Sequence, residues 1–443
     1  MRRFLRYVLY ALAGFAVLAL VATIYFVATL YTPGPAQRGY LVLTGAIVLV
    51  GKELERRTGA VVVVRDGSIV DVGDPAQIEI PPEATVLDLS GHTVMPGLID
   101  LHVHLGSPEL DVDERMGLAK MPRLILDHLQ FFPAKRRAFL AHGVTTVRSL
   151  GDDYRGVMEM RKMLRAGELE GPQLYAAGPM FTTARGHPVV TIGVDPASDA
   201  VRIPSTPDEA RRAVAALAVG EDRVDLIKVI QERGGPKFPL EPIAPNVLEA
   251  IVDEAHRRGL TVVAHWGTLE DLRDVLGAGA DGLQHLEPRG IRGEWSEEIL
   301  QPMIDRGVSL APTLAAMEAA TLRSRSPLPH TAFQRSMSQF RALHDAGGRV
   351  VAASDAGMPG VRAGAGLHRE LQLFTQSGLS PRTALRAATS EAAKDLRTER
   401  IGAIAPGRIA DLLVLKGDPL RRIEDIRNVI MVFREGRIVV DRR

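Results

Sequence analysis

Apolar and polar positions divide the chain into three regimes. The first is Tyr7 through Tyr31, a run without charge made mostly of Leu, Val, Ala and aromatic residues. About 20 helical residues cross the ~30 Å hydrocarbon layer of a membrane, so this run is long enough to span one. Thr32-Pro33-Gly34-Pro35 cannot continue a helix and predicts a linker over 32–39. From Tyr40 the pattern turns to β. Ala60–Val64 and Ile69-Val70 flank Asp66-Gly67, a hairpin signal, and a further apolar segment ends at Leu87-Asp88-Leu89. These segments predict a small antiparallel sheet, closed by Pro96-Gly97.

From about Leu98 to Thr389 helical stretches alternate with short apolar strands. Val247–Arg258 has helical periodicity, stops at Gly259 and gives way to Leu260–His265. Leu269–Leu276 stops near Gly279 before Gly282–His285, and Ser296–Arg306 stops at Gly307 before Val308–Pro312. Phe333–Ala346 ends at Gly347-Gly348 before Arg349–Asp355. Helix, glycine and buried strand in repetition predict a parallel α/β architecture. The length suits a closed (β/α)8 TIM barrel. An open doubly wound sheet is the alternative, weakened because no Gly-x-Gly-x-x-Gly follows an early strand. After residue 390 strands return, as Ala410–Leu415 and a hairpin over Met431–Val440. Two short β pieces at opposite ends of the chain can hardly form two cores. Residues 40–97 and 390–443 are therefore expected to build one composite β-sandwich domain beside a barrel over 98–389.

Composition narrows the function. The 443 residues exceed one small domain and fit a barrel with an appended module. A formal net charge of +1 offers no concentrated basic face, which argues against nucleic acid as a partner. With no cysteine, disulfides, thiolate metal sites and a Cys nucleophile are excluded, so any metal relies on His and carboxylate or something less usual. Arg2, Arg3 and Arg6 precede the apolar run and Arg38 is the first charge after it. By the positive-inside rule, 1–6 is a cytoplasmic basic segment, 7–31 a transmembrane anchor, and the catalytic part is exported. The alternative is secretion after cleavage of a signal peptide, but such peptides have an apolar region of only about 7–15 residues, and no convincing cleavage site precedes Thr32.

The candidate chemistry lies at strand ends. His102 and His104 close the apolar run Val94–His104, and a strand's period of 2 projects both imidazoles to one side, half of a metal site. Lys228 sits in the apolar strand Val224–Ile230; His265, His285 and Asp355 end later strands. Each alone has an ordinary reading: a snorkelling lysine, a core histidine, a capping aspartate. Together they occupy the end of a barrel where catalytic groups gather. His187, after the strand Gln173–Gly178, reads as a substrate-loop histidine or a solvated one. Arg148 reads as a bidentate contact for a substrate carboxylate or as a structural ion pair. His92, His128, His142, His256, His330, His344 and His368 lack strand-end positions and read as structural.

Met95–His104, the strands bearing Lys228, His265 and His285, Ala353-Ser354-Asp355-Ala356-Gly357, Gly143–Arg148 and Gly402–Leu415 resemble the amidohydrolase superfamily. The likeness is to the group with imidazolonepropionases and exported Xaa-Pro-type dipeptidases, and it covers about residues 40–443. It implies two divalent metal ions, zinc ahead of manganese, iron or cobalt. His102, His104 and Asp355 would hold one and His265 and His285 the other, bridged by Lys228 carboxylated on its ε-nitrogen. It also implies hydrolysis by a metal-activated water, with Asp355 as the proton carrier. The expected activity is cleavage of an amide or peptide C–N bond in a small substrate, a dipeptide or an N-acyl amino acid. The loop Gln231–Lys237 departs from some dipeptidase relatives in lacking a tyrosine. Cyclic-amide hydrolysis on one metal, phosphotriester or carbamate hydrolysis, and a metal-free binding protein on a barrel scaffold are the alternatives. The membrane is the expected second partner, and a homo-oligomer is compatible with the sequence.

Overall fold

In the computed structural model, residues 2–114, 117–286, 295–324 and 327–443 are described; Met1 of the basic segment lies outside them. Helix α1 (Arg2–Thr29) contains an 18-residue window, Leu12–Thr29, apolar and long enough to cross a membrane, and none of that window is buried. The end of α1 is tied to the body. Gln130 Nε2 donates to Phe26 O and to Thr29 Oγ1, both at 2.7 Å. The Arg136 guanidinium donates to Leu30 O and Tyr31 O. These bonds satisfy carbonyls that a helix terminus otherwise leaves to water.

The middle of the chain contributes parallel strands β1 (Leu98–Val103), β2 (Val144–Ser149), β3 (Gln173–Ala176), β4 (Leu226–Gln231), β5 (Thr261–Trp266), β6 (Gly282–Gln284), β7 (Ser309–Ala311) and β8 (Arg349–Val350). β1, β2 and β3 pair in one sheet. β4 to β8 pair in sequence in another, which Met180–Phe181 and Val201–Arg202 extend beyond β4. Hydrogen bonds join the two sheets at both ends. Asp225 N donates to Ala176 O at 2.9 Å, and Leu101 N and Asp355 N donate to Ala352 O and His102 O at 3.2 and 2.9 Å. All of β1, β2 and β4 is buried, as expected of parallel strands covered on both faces. The glycine stops act as read: Gly279 and Gly307 end their helices at φ 96° and 64°, a conformation that disfavours any Cβ.

The chain ends share one sheet. His92–Pro96 pairs with Ile47–Val50 on one side and with Leu412–Lys416 on the other, and Leu412–Lys416 pairs in turn with Val429–Arg434. A four-stranded sheet of Ser68–Gly73, Val61–Arg65, Tyr40–Thr44 and Thr85–Asp88 completes this β region. Val48, Val62, Val94, Val414 and Phe433 join one buried cluster between them. The Asp66-Gly67 hairpin forms, with both residues at positive φ. Two expectations need correction. The region is mixed rather than antiparallel, because Tyr40–Thr44 runs parallel to Thr85–Asp88 and Ile47–Val50 parallel to His92–Pro96. Hairpin signals report only neighbours in sequence, and these pairings are long-range. His92, expected off any strand, opens one.

Candidate metal centre

β1 delivers the first two ligand candidates. His102 is its fifth residue, and His104 follows one residue past its end. Period 2 directs both inward, with their Nε2 atoms 3.3 Å apart. Asp355 Oδ1 lies 3.2 Å from His104 Nε2 and 3.5 Å from His102 Nε2. The His285 ring stands 4.8 Å from that of His102, and its Nδ1 is 3.8 Å from Asp355 Oδ2. One ligand atom each from His102, His285 and Asp355 falls within 4.8 Å of the others. The His265 ring is 4.9 Å from His285, and His187 stacks on His265 at 5.0 Å with 15° between planes.

Backbone strain contributes to this convergence. His285 and Asp355 have φ of 67° and 61°, a left-handed conformation that costs about 1–2 kcal/mol for a residue with a side chain. A strand would turn neighbouring side chains to opposite faces. The left-handed turn lets both residues of the pairs Gln284-His285 and Ser354-Asp355 reach inward. Gln284 Oε1 accepts from His102 Nδ1 at 3.0 Å, which leaves His102 Nε2 free for a metal. Thr313 Oγ1 lies 2.8 Å from His285 Nδ1. Asp100, on the same face of β1 as His102, accepts from Ser354 N and Oγ at 2.9 and 2.5 Å and locks β1 to the segment after β8 that bears Asp355.

Lys228 points into the centre from β4. It is 2% exposed, and its Nζ has no hydrogen-bond partner among the described residues. Burial pushes the amine down to about 7, with Asp355 opposing and Arg148 assisting. Burial also holds His102 and His285 well below the usual imidazole range, so they are neutral, the ligating form. Burial works against the Asp355 anion, but His102, His104 and Lys228 outweigh it and hold its carboxyl below the usual range. Neutral imidazoles and an anionic carboxylate around an unpartnered buried amine that burial makes easier to deprotonate fit a divalent cation and a lysine carbamate.

Arg148 does not join them. Its Nε donates to Leu101 O at 2.8 Å and its Nη1 to Asp395 Oδ2 at 2.7 Å, with the side chain fully buried. Asp395 lines a cleft with Thr261, Ser309 and Arg349, which begin β5, β7 and β8. The guanidinium therefore points to the strand starts, away from the metal candidates, and the structural ion pair is the reading the geometry carries. His187 faces the centre; burial and His265 push it down to about 3.

Sequence reading missed Gln284, Thr313, Asp100, Ser354 and Glu232. Glu232 Oε2 lies 3.1 Å from His265 Nε2. A Cβ on Gly267 would meet Glu232 Cγ at 2.5 Å, so the glycine lets this carboxylate lie against the end of β5. The available signal was its position, one residue past the strand that carries Lys228.

A family model described as the amidohydrolase family matches residues 93–439. An ochratoxinase of Aspergillus niger is 26% identical over 439 residues, covering 88% of this chain and 83% of the relative. An imidazolonepropionase of Geobacillus kaustophilus is 27% identical over 423 residues, covering 85% and 89%. A crystal structure of a Xaa-Pro dipeptidase with methionine in its active site superposes with a TM-score of 0.77. It is 24% identical and covers 90% of this chain and 99% of that one.

Proposed function

The chain belongs to the amidohydrolase family, and from that premise we propose that it is a membrane-anchored, metal-dependent hydrolase of small amides, a dipeptide or an N-acyl amino acid among them. The family match and relatives named as an ochratoxinase and an imidazolonepropionase support an enzyme acting on C–N bonds. The parallel strands, joined at both sheet edges, are read as a closed (β/α)8 barrel with the composite β domain at its side. The observation that carries the reading is Lys228, a buried amine with no hydrogen-bond partner among the described residues, on the strand that adjoins His265.

His102, His104 and Asp355 would hold one divalent metal, zinc first, and His265 and His285 a second, with carboxylated Lys228 between them. Bound metals supply Lewis-acid polarisation of the substrate carbonyl and lower the pKa of water. Gln284 fixes the ring of His102, and Thr313 that of His285. An Asp355 oxygen takes the proton released as water adds to the carbonyl carbon. It then delivers that proton to the departing nitrogen as the C–N bond breaks, giving a carboxylate and an amine. His187 would contact the substrate, a role supported by its stacking on His265.

A second reading, hydrolysis of a cyclic amide on one metal, is favoured by the Glu232–His265 contact, which already engages His265 Nε2. Metal analysis of the purified protein, followed by a panel of dipeptides, N-acyl amino acids and cyclic amides, separates the two. Two metals per chain and open-chain turnover support the first reading; one metal and cyclic-amide turnover overturn it. The anchor is supported by the capping of the end of α1 by Gln130 and Arg136, contacts with no use in a discarded signal peptide. An intact N-terminal mass in the exported protein is the expected result.

A further inference from the structure

Helix α2 (Met121–Leu129) buries none of its residues, although four apolar side chains line one side of it and the short turn before it. Leu118, Met121, Ile125 and Leu129 are spaced 3, 4 and 4 residues apart, one stripe of a helical surface. Leu118 is 90% exposed, Ile125 55% and Leu129 59%. Soluble surfaces scatter such residues singly, whereas a continuous stripe marks a contact. The residue that follows α2 as its C-cap is Gln130, whose side chain binds Phe26 O and Thr29 Oγ1 at the end of α1. A cleft of about 580 Å³ separates α1 from α2 and α3 (Pro133–Ala141). Tyr25, Thr29, Arg123 and Arg137 are on its walls.

We propose that the α2 stripe rests in the membrane interface beside α1, so that the protein meets the bilayer through an in-plane helix as well as its anchor. The proposal rests on the anchor reading above. Its occupant is lipid because the residue that follows the stripe, Gln130, is bonded to the end of the apolar span, which holds the exposed stripe beside the segment that crosses the bilayer. An amphipathic helix with an apolar side and charged residues opposite lies at the boundary of headgroups and acyl chains. Lys120, Arg123 and Asp127 supply that charge, the last two paired at 3.0 Å. α2 belongs to the segment that follows His104, so a bilayer contact there would tether the stretch of chain between the first metal candidates and the anchor.

The chain has no cysteine, so single labels are unambiguous. Full-length Leu20→Cys, Ile125→Cys, Leu129→Cys and Glu249→Cys variants, each carrying one fluorophore, are reconstituted into vesicles of phosphatidylcholine and phosphatidylglycerol containing nitroxide lipids. Leu20 lies in α1, and Glu249 is an exposed residue of the helix Pro245–Arg257. The expected result is lipid quenching at 125 and 129 several-fold stronger than at 249, together with quenching at 20. Quenching at 20 with 125 and 129 matching 249 overturns the stripe contact and leaves the anchor standing. No quenching at 20 removes the anchor and the proposal with it. Protection of 125 from aqueous iodide without lipid quenching shows that protein covers the stripe, which also overturns it.

Discussion

Replacing Arg148 by Met removes one half of a buried ion pair and tests whether this residue serves the fold or the substrate. Arg148 is 1% and Asp395 7% exposed in their side chains, at 2.7 Å. Losing one partner of a buried pair costs about 3–5 kcal/mol, because the survivor stays charged without water. Here Asp395 keeps Arg349 Nη2 at 3.3 Å, which places the loss near about 3 kcal/mol. Leu101 O also loses the Nε donor, worth about 1 kcal/mol. The sum, about 4 kcal/mol, is a large share of the stability of a typical domain. Urea unfolding at equilibrium should show a lower midpoint at an unchanged slope. Adding Asp395→Leu should restore most of the loss, since an apolar pair of similar volume often replaces a buried ion pair at little cost. Turnover per folded molecule should stay within about twofold, because the contribution of Arg148 is to stability rather than to transition-state binding. A KM raised tenfold or more with little loss of stability would refute this reasoning and return Arg148 to the substrate.

Asp355→Asn should leave metal content nearly intact while turnover falls by about 10²–10⁴, the usual worth of a positioned proton carrier; near wild-type rates would remove that role. Lys228→Met should lower bound metal from two per chain to one or none, measured by elemental analysis, and unchanged loading would show that Lys228 is not a ligand. His368, held near 3 by burial and by neighbouring His142, has a depressed folded pKa, so the unfolded chain takes up the proton first. Stability from this group is therefore present above about pH 6.5 and lost as pH falls toward 3, about 2 kcal/mol by pH 5. His368→Gln keeps a donor for His142 O and should flatten that part of the pH dependence of unfolding; an unchanged profile would refute the assignment.

The site was legible where it follows local periodicity. His102 and His104 share a face because strands repeat every two residues, and Lys228 stands out as a cation in an apolar strand. Asp355 and His285 were visible as strand-end residues, but the left-handed backbone that turns them inward was not. The same holds for Gln284 and Ser354, whose neighbours should have faced the other way in an uninterrupted strand. Glu232 escaped notice because its partner His265 is on another strand and its room comes from Gly267.

The sequence by itself determined the alternation of helix and buried strand, the glycine helix stops, the Asp66-Gly67 hairpin and the apolar run of α1. Each depends on spacing and backbone preference over a few residues. Tertiary structure alone decided that Arg148 faces Asp395 rather than the metal candidates, that strands near the two chain ends pair with one another, and that Gln130, just after α2, binds the end of α1 while the apolar side of α2 stays uncovered. These are contacts between segments far apart in the chain. Their free energies depend on what surrounds each group, and no local pattern carries that information.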